Sequence, residues 1–201
     1  MQRDEQKEHL TRRLRELQQE NEALHMRVRR LSNERQRLEA QVSTLARLCT
    51  ASSRLRESGT DSELMATLGE IIKDLIGSEA FAIFELTADA SALSLLGGMG
   101  VDTELLRRVS LGEGPLSWVV EQGKPWVSES LPDDALALSA CIPLKLGGQV
   151  LGVIAIFRLL PHKPSFEAAD HALFELLETQ GGMALHHVRC PTARPPLARG
   201  S

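Results

Sequence analysis

The stretch LGEGPLSWVVEQGKPW, Leu111 to Trp126, gathers three of the chain's fifteen glycines and both of its tryptophans into sixteen residues. Two readings compete for it. Gly112-Glu113-Gly114 resembles the start of a phosphate-cradling loop. That chemistry needs a third glycine, or a Lys-Ser/Thr pair, between a strand and the crossover helix of a parallel βαβ unit. Position 117 is Ser, no Lys-Ser/Thr follows, and the flanking pattern contains no parallel unit. The remaining reading is structural: glycines turn the chain into a helix whose first turn accepts Pro115, and Gly123 ends it near Gln122.

Outward from this helix, residues 58–189 read as one α/β unit. Thr60-x-x-Glu63 is a capping box, and Leu64, Leu68, Ile71, Ile72 and Leu75 mark one face of the helix it opens, which Gly77 ends. Ala80 to Leu86 reads as a buried strand, with Ala92 to Leu96 as its hairpin mate. Asp102 is placed to cap a short helix through Arg108, and Trp126 to Ser128 is a brief strand. Ser139 to Leu146 and Gln149 to Phe157 flank Gly147-Gly148, a pair suited to a primed hairpin turn. Ser165 is positioned to cap a last helix from Phe166 to about Arg189. The pattern predicts an antiparallel sheet with helices packed on its faces, an α+β fold. The closing residues, 190–201, are rich in proline and arginine and are expected to be disordered.

Residues 1–57 follow a different rule. They contain neither proline nor glycine, and leucine recurs every seventh residue at Leu10, Leu17, Leu24, Leu31, Leu38 and Leu45. With these at d, the a positions are Lys7, Leu14, Asn21, Val28, Arg35, Val42 and Cys49. A sustained 4-3 apolar repeat keeps one stripe facing a partner helix, the condition for a left-handed coiled coil. Valine at a with leucine at d favours two strands, and a buried Asn21 is best satisfied by its own counterpart in a parallel, in-register pair. The rod from Lys7 to Cys49 would be roughly 60–65 Å long. Expected interface residues are Leu10, Leu14, Leu17, Asn21, Leu24, Val28, Leu31, Leu38, Val42 and Leu45. Glu20 faces His25 favourably across such a pair, whereas Glu34 faces Glu39 with like charge, so pairing with a different chain stays open beside the homodimer. Beyond Cys49 the stripe slips: Leu48 and Leu55 fall one position ahead of the a sites.

Charge separates the two segments. Residues 1–57 hold 13 Lys+Arg against 9 Asp+Glu, net +4; the rest holds 10 against 18, net −8, which sum to the chain's −4. The arginine clusters are interrupted by glutamates inside the heptads, and only six residues precede Lys7, so a basic-zipper grip on DNA is not expected. Five Phe, two Trp and no Tyr argue against a base-stacking surface for single strands. No apolar run spans a bilayer, the charged start MQRDEQKEHL is no secretory signal, and Cys49, Cys141 and Cys190 lack metal or disulfide spacing. A cytoplasmic location follows as the expectation. Eighteen arginines to five lysines fit a GC-rich bacterial genome.

Residues 60–189 resemble the GAF domains. The likeness rests on Gly112-Glu113-Gly114-Pro115-Leu116-x-Trp118-Val119 with Gly123-Lys124-Pro125, on Ile142-Pro143-Leu144, Gly147-Gly148 and Leu151-Gly152-Val153, and on Phe166-x-x-x-Asp170. The resemblance implies a small-molecule sensor or dimerisation module of a kind often set beside signalling helices. If a ligand binds, the resemblance and the chain's aromatics direct attention to Phe84, Met99, Trp118, Trp126 and Ile142. Departures from ligand-binding members stand out. The connection from Ser128 to Ala140 is shorter than the usual lid, His171 follows Asp170 where cyclic-nucleotide binders carry Glu, and an Asn-Lys pair is missing. Some GAF proteins resemble enzymes that reduce free methionine sulfoxide, but that needs an attacking thiolate and a resolving thiol, and only Cys141 lies within the domain body. His186 and Cys190, four apart on a helix, are two ligands where a zinc site needs more. No catalytic residue, metal or cofactor is therefore expected. No kinase, cyclase, phosphodiesterase or DNA-binding segment accompanies the domain in this sequence. The expectation is a non-catalytic signalling or scaffold protein, a parallel homodimer that contacts other signalling proteins. A ligand-sensing regulator is the alternative.

Overall fold

A computed structural model describes residues 2–128, 137–161 and 163–190; within the first helix, side chains are described at 9, 12–15 and from 17 onward. The chain divides into two units, Met1–Leu45 and Ala46–Ser201.

The first unit is helix throughout its described length, part of α1 (Gln2–Glu57). Without glycine or proline to interrupt the backbone ladder, nothing local ends the helix before Ser58-Gly59. Its apolar stripe stays in solvent. Leu17 is 47% exposed and Val42 66%, with Leu14, Leu24, Val28, Leu31, Leu38 and Leu45 between them in exposure.

The second unit starts with the last residues of α1. There Ala51 and Leu55 are buried in the domain core, and Leu48 packs against it. The apparent slip of the heptad thus has a physical cause. Leu48, Ala51 and Leu55 form a stripe that serves their own domain. Next comes α2 (Asp61–Glu70), whose N-terminus has the expected capping box: Thr60 Oγ1 accepts from the Glu63 N–H at 3.2 Å, and Glu63 Oε2 accepts from the Thr60 N–H at 3.1 Å. The helix continues through a wider π-type turn at Ile71–Ile76, and Gly77 closes it with a φ of 80°.

Among the described residues, six strands follow in one antiparallel sheet: β1 (Ser78–Leu86), β2 (Ala92–Met99), β3 (Arg108–Ser110), β4 (Trp126–Val127), β5 (Ala140–Leu146) and β6 (Gln149–Leu159), ordered β3-β2-β1-β6-β5-β4. The short helix expected from Asp102 to Arg108 is not present. Asp102 Oδ1 does accept from the N–H groups of Glu104 and Leu105, as a cap would. The chain then turns, and Arg108, Val109 and Ser110 pair with Ser94, Leu93 and Ala92 instead. Strand pairing outcompetes a helix that has fewer than two turns to offer.

The sheet divides the core in two, because successive strand residues point to opposite faces. Phe81, Ile83, Ile142, Leu144, Ile154 and Ile156 face the helices: the end of α1, α2, α4 (Ala168–Leu176) and α5 (Gly182–Arg189). Phe84, Leu93, Cys141, Val153 and Phe157 face the other way, beneath α3 (Pro115–Gln122). The final helix can lie directly on β5 because Gly182 has no side chain. A Cβ there would stand 2.1 Å from the Lys145 carbonyl oxygen. The helical stretch expected from Phe166 begins instead with α4 at Ala168, with Glu167, rather than Ser165, as its cap residue. The tail expected to be disordered, apart from Cys190, lies outside the described residues.

Candidate functional site

The LGEGPLSWVVEQGKPW stretch forms α3 and its two turns. Gly114 has a φ of 127°, a region open to glycine, and it leads into Pro115 at the first helical position. Ser117 Oγ accepts the Gly112 N–H at 2.9 Å and fastens the turn to the helix. At the other end Gly123 is left-handed, and its N–H donates to the Val119 carbonyl at 2.9 Å. Lys145 Nζ, at the end of β5, donates to the Gly123 carbonyl at 2.7 Å and also pairs with Glu178. One lysine thereby ties the end of α3 to the far side of the sheet.

Beside α3 lies an open cleft of about 580 Å³, lined by Gly112, Glu113, Gly114, Pro115, Ser117, Trp118, Glu121 and Trp126. Trp118 is 41% exposed here and Trp126 half-buried. The connection from β4 to β5 that was expected to be short has residues 129–136 outside the described residues.

Of the five residues named as ligand contacts, the fold brings only Trp118 and Trp126 to this cleft. Phe84 is fully buried on the α3 side of the sheet. Ile142 is fully buried on the helical side, and Met99 packs against that same helical cluster. The separation follows from register: Phe84 pairs with Val153 and Ile142 with Ile154, one step apart on β6 and therefore on opposite faces. Glu121, which sequence reading passed over, lies three positions beyond Trp118 and four beyond Ser117 on α3, spacings that put neighbours on one helical face and were legible from that periodicity.

Cys141 is buried in β5, and burial pushes its thiol up to about 12, which keeps it protonated at neutral pH. Cys49 and Cys190 are exposed. Among the described residues no group of three or more His, Cys, Asp or Glu could hold a metal ion, and no helix is long and apolar enough to cross a membrane.

Asp170, in the Phe166-x-x-x-Asp170 motif, is fully buried and belongs to the domain's framework. Its carboxylate accepts from Arg47 Nη2 and from Lys163 Nζ, each at 2.7 Å, and from the Glu167 N–H at 2.8 Å. The same two cations donate to the Leu75 and Ile76 carbonyls at the end of the π-type turn.

On the first unit, the predicted interface side chains from Leu14 to Leu45, Asn21 included, are exposed along one helix. The side chain of Leu10 lies outside the described residues.

Comparison with known proteins places these features. The family model for the GAF domain matches residues 60–186. No curated protein matches the chain. Among solved structures, the GAF domain of an Acinetobacter phosphoenolpyruvate-protein phosphotransferase is similar, with 15% identity and a TM-score of 0.62 over 76% of this chain and 98% of that one. The corresponding domain from Coxiella burnetii has 19% identity and a TM-score of 0.59, covering 75% and 97%. The free methionine-R-sulfoxide reductase of Neisseria meningitidis, solved with its substrate, has 19% identity and a TM-score of 0.56, covering 72% and 89%. At these identities the likeness is one of fold.

Proposed function

The chain belongs to the GAF domain family, and from that premise we propose that it is a non-catalytic, cytoplasmic signalling or scaffold protein that pairs with itself through the N-terminal helix and acts by protein contact. One observation carries the reading. Large aliphatic side chains from Leu14 to Val42 and Leu45 stand 47–66% exposed at heptad spacing on a helix. Contiguous exposed apolar surface of that extent marks an interaction site, and its a/d pattern is what a two-stranded coiled coil covers. Asn21 within the stripe supports a parallel pair in register. The buried, protonated Cys141 thiol supports a non-catalytic reading over a thiol-based reductase.

The test is the mass of the full chain in solution. Wild type is expected to scatter light as a dimer, and Leu24→Asp with Leu31→Asp as a monomer. A dimer that persists in the double variant would refute pairing through the helix.

The cleft beside α3 supports a second reading, a sensor that binds a small molecule against Trp118 and Trp126. Any compound that binds the folded state raises its melting temperature. Screening cyclic nucleotides, amino acids and keto acids without a shift would count against it.

A further inference from the structure

Among the described side chains, the stripe has one layer that contradicts simple self-pairing. Arg35 occupies an a position, where a charge is costly, and Glu34 at g would face the partner's Glu39 at e with like charge. Arg35 Nε lies 3.3 Å from Glu39 Oε1 of its own helix, both side chains being well exposed. Among the described residues, Glu34 has no ion-pair partner in its own chain.

We propose that this layer is the specificity element that makes a second copy of this chain, in register, the occupant of the stripe; the inference rests on the self-pairing reading above. In a parallel pair an a residue lies beside the partner's g residue, as well as facing the partner's a residue. Arg35 therefore reaches the partner's Glu34 while still holding Glu39 of its own helix. The like-charged Glu34 and the partner's Glu39 are bridged by the partner's Arg35, and symmetry repeats the arrangement on the other side. Two Glu-Arg-Glu triads replace two bare repulsions, and each arginine that would repel its counterpart is flanked by two carboxylates.

The same charges penalise a slipped register. Moving one copy by a heptad sets Arg35 beside the partner's Arg27 in one direction and beside Gln41 in the other, so the second carboxylate is lost either way. Asn21 meets Leu14 or Val28 in the same slips. A partner chain without acids matching Glu34 and Glu39 would leave Arg35 similarly uncompensated, which is discrimination by repulsion.

Replacing Glu34 decides the matter, because the two accounts predict opposite signs. If Glu34 only repels the partner's Glu39, Glu34→Gln tightens the dimer. If it closes the triad, the dimer dissociation constant, read by sedimentation equilibrium on the full chain, rises roughly three- to tenfold, the scale of two symmetric exposed ion pairs. That rise shrinks at high salt. Arg35→Glu, which gathers six carboxylates, is expected to be monomeric at concentrations where wild type is dimeric, with helicity by circular dichroism confirming that the chain still folds. A dimeric wild type whose constant is unchanged or lower in Glu34→Gln overturns the triad alone. A monomeric wild type overturns self-pairing and the triad with it.

Discussion

Arg47 and Asp170 meet at 2.7 Å, joining the last turns of the long helix to the first turn of α4 across 123 positions of sequence. Asp170 is fully buried, and Lys163 holds its other oxygen at 2.7 Å. A buried carboxylate survives only when its charge and lone pairs are met, and here two cations and a backbone N–H meet them. Arg47 and Lys163 also reach the carbonyls that the π-type turn leaves open. The cluster therefore fastens three elements on the helical side of the sheet: α1, the turn after α2, and α4.

Removing the carboxylate leaves two partly buried cations without their counter-charge. Asp170→Ala is expected to cost about 3–5 kcal/mol of folding stability, the range for breaking one partner of a buried pair. Urea denaturation followed by circular dichroism would read it. A loss under about 1 kcal/mol, the scale of a surface pair, would mean that solvent reaches the cluster freely.

Cys141 makes a prediction about pH and reactivity together. Its folded-state pKa of about 12 lies above the ordinary 9.0, so between those values the unfolded chain releases a proton that the folded chain keeps. Stability from this group is intact below about 9 and is lost as pH rises toward 12. Cys141→Ala should flatten that alkaline decline. In the folded protein at neutral pH, iodoacetamide should label the exposed Cys190 and spare Cys141. Rapid labelling of Cys141 without denaturant would contradict its burial.

The turn between β1 and β2 carries the opposite shift. Asp89 is lowered to about 2, first by the Thr87 hydroxyl, which donates to Oδ1 at 2.6 Å, then by the Ser91 hydroxyl, which donates to Oδ2 at 2.7 Å. A depressed carboxylate contributes stability above its ordinary value of 3.8, and this is lost as pH falls toward about 2. Thr87→Val should raise the Asp89 pKa measured by NMR titration. An unchanged value would remove the hydroxyl as the main cause.

Local chemistry was readable from the sequence where one short segment decided the outcome. Thr60 and Glu63 form their box, Gly114 and Gly123 bound α3, and Gly147-Gly148 turns β5 into β6, because each depends on neighbours within a few residues. Pairing decided the rest. Arg108 to Ser110 became a strand because β2 offered it a ladder, and Phe84 and Ile142 parted because register sets the face. Leu48 and Leu55 looked like a faltering zipper until the domain beneath them was visible. The cleft was half legible: both tryptophans reach it, while the other three candidates pack inside the sheet's two cores.

Glycine placement distinguishes close packing from open loops, and paired substitutions test the difference. At Gly182 an added Cβ would meet Lys145 backbone at 2.1, 2.3 and 2.5 Å, so α5 must lift from β5. Backbone cannot move aside as a flexible side chain can, and Leu185 and Leu177 would lose packing with it. Gly182→Ala is therefore expected to lower stability by several kcal/mol, about the cost of an overpacked core position or more. At Gly112, which begins the loop into α3, a Cβ would meet nothing within 4 Å, and the backbone φ is not left-handed. Gly112→Ala should be neutral or slightly stabilising, by up to about 1 kcal/mol, through reduced freedom of the unfolded chain. Thermal melts of the two variants beside wild type give the comparison. Equal, small effects would mean that α5 does not rest on β5 as closely as Gly182 implies.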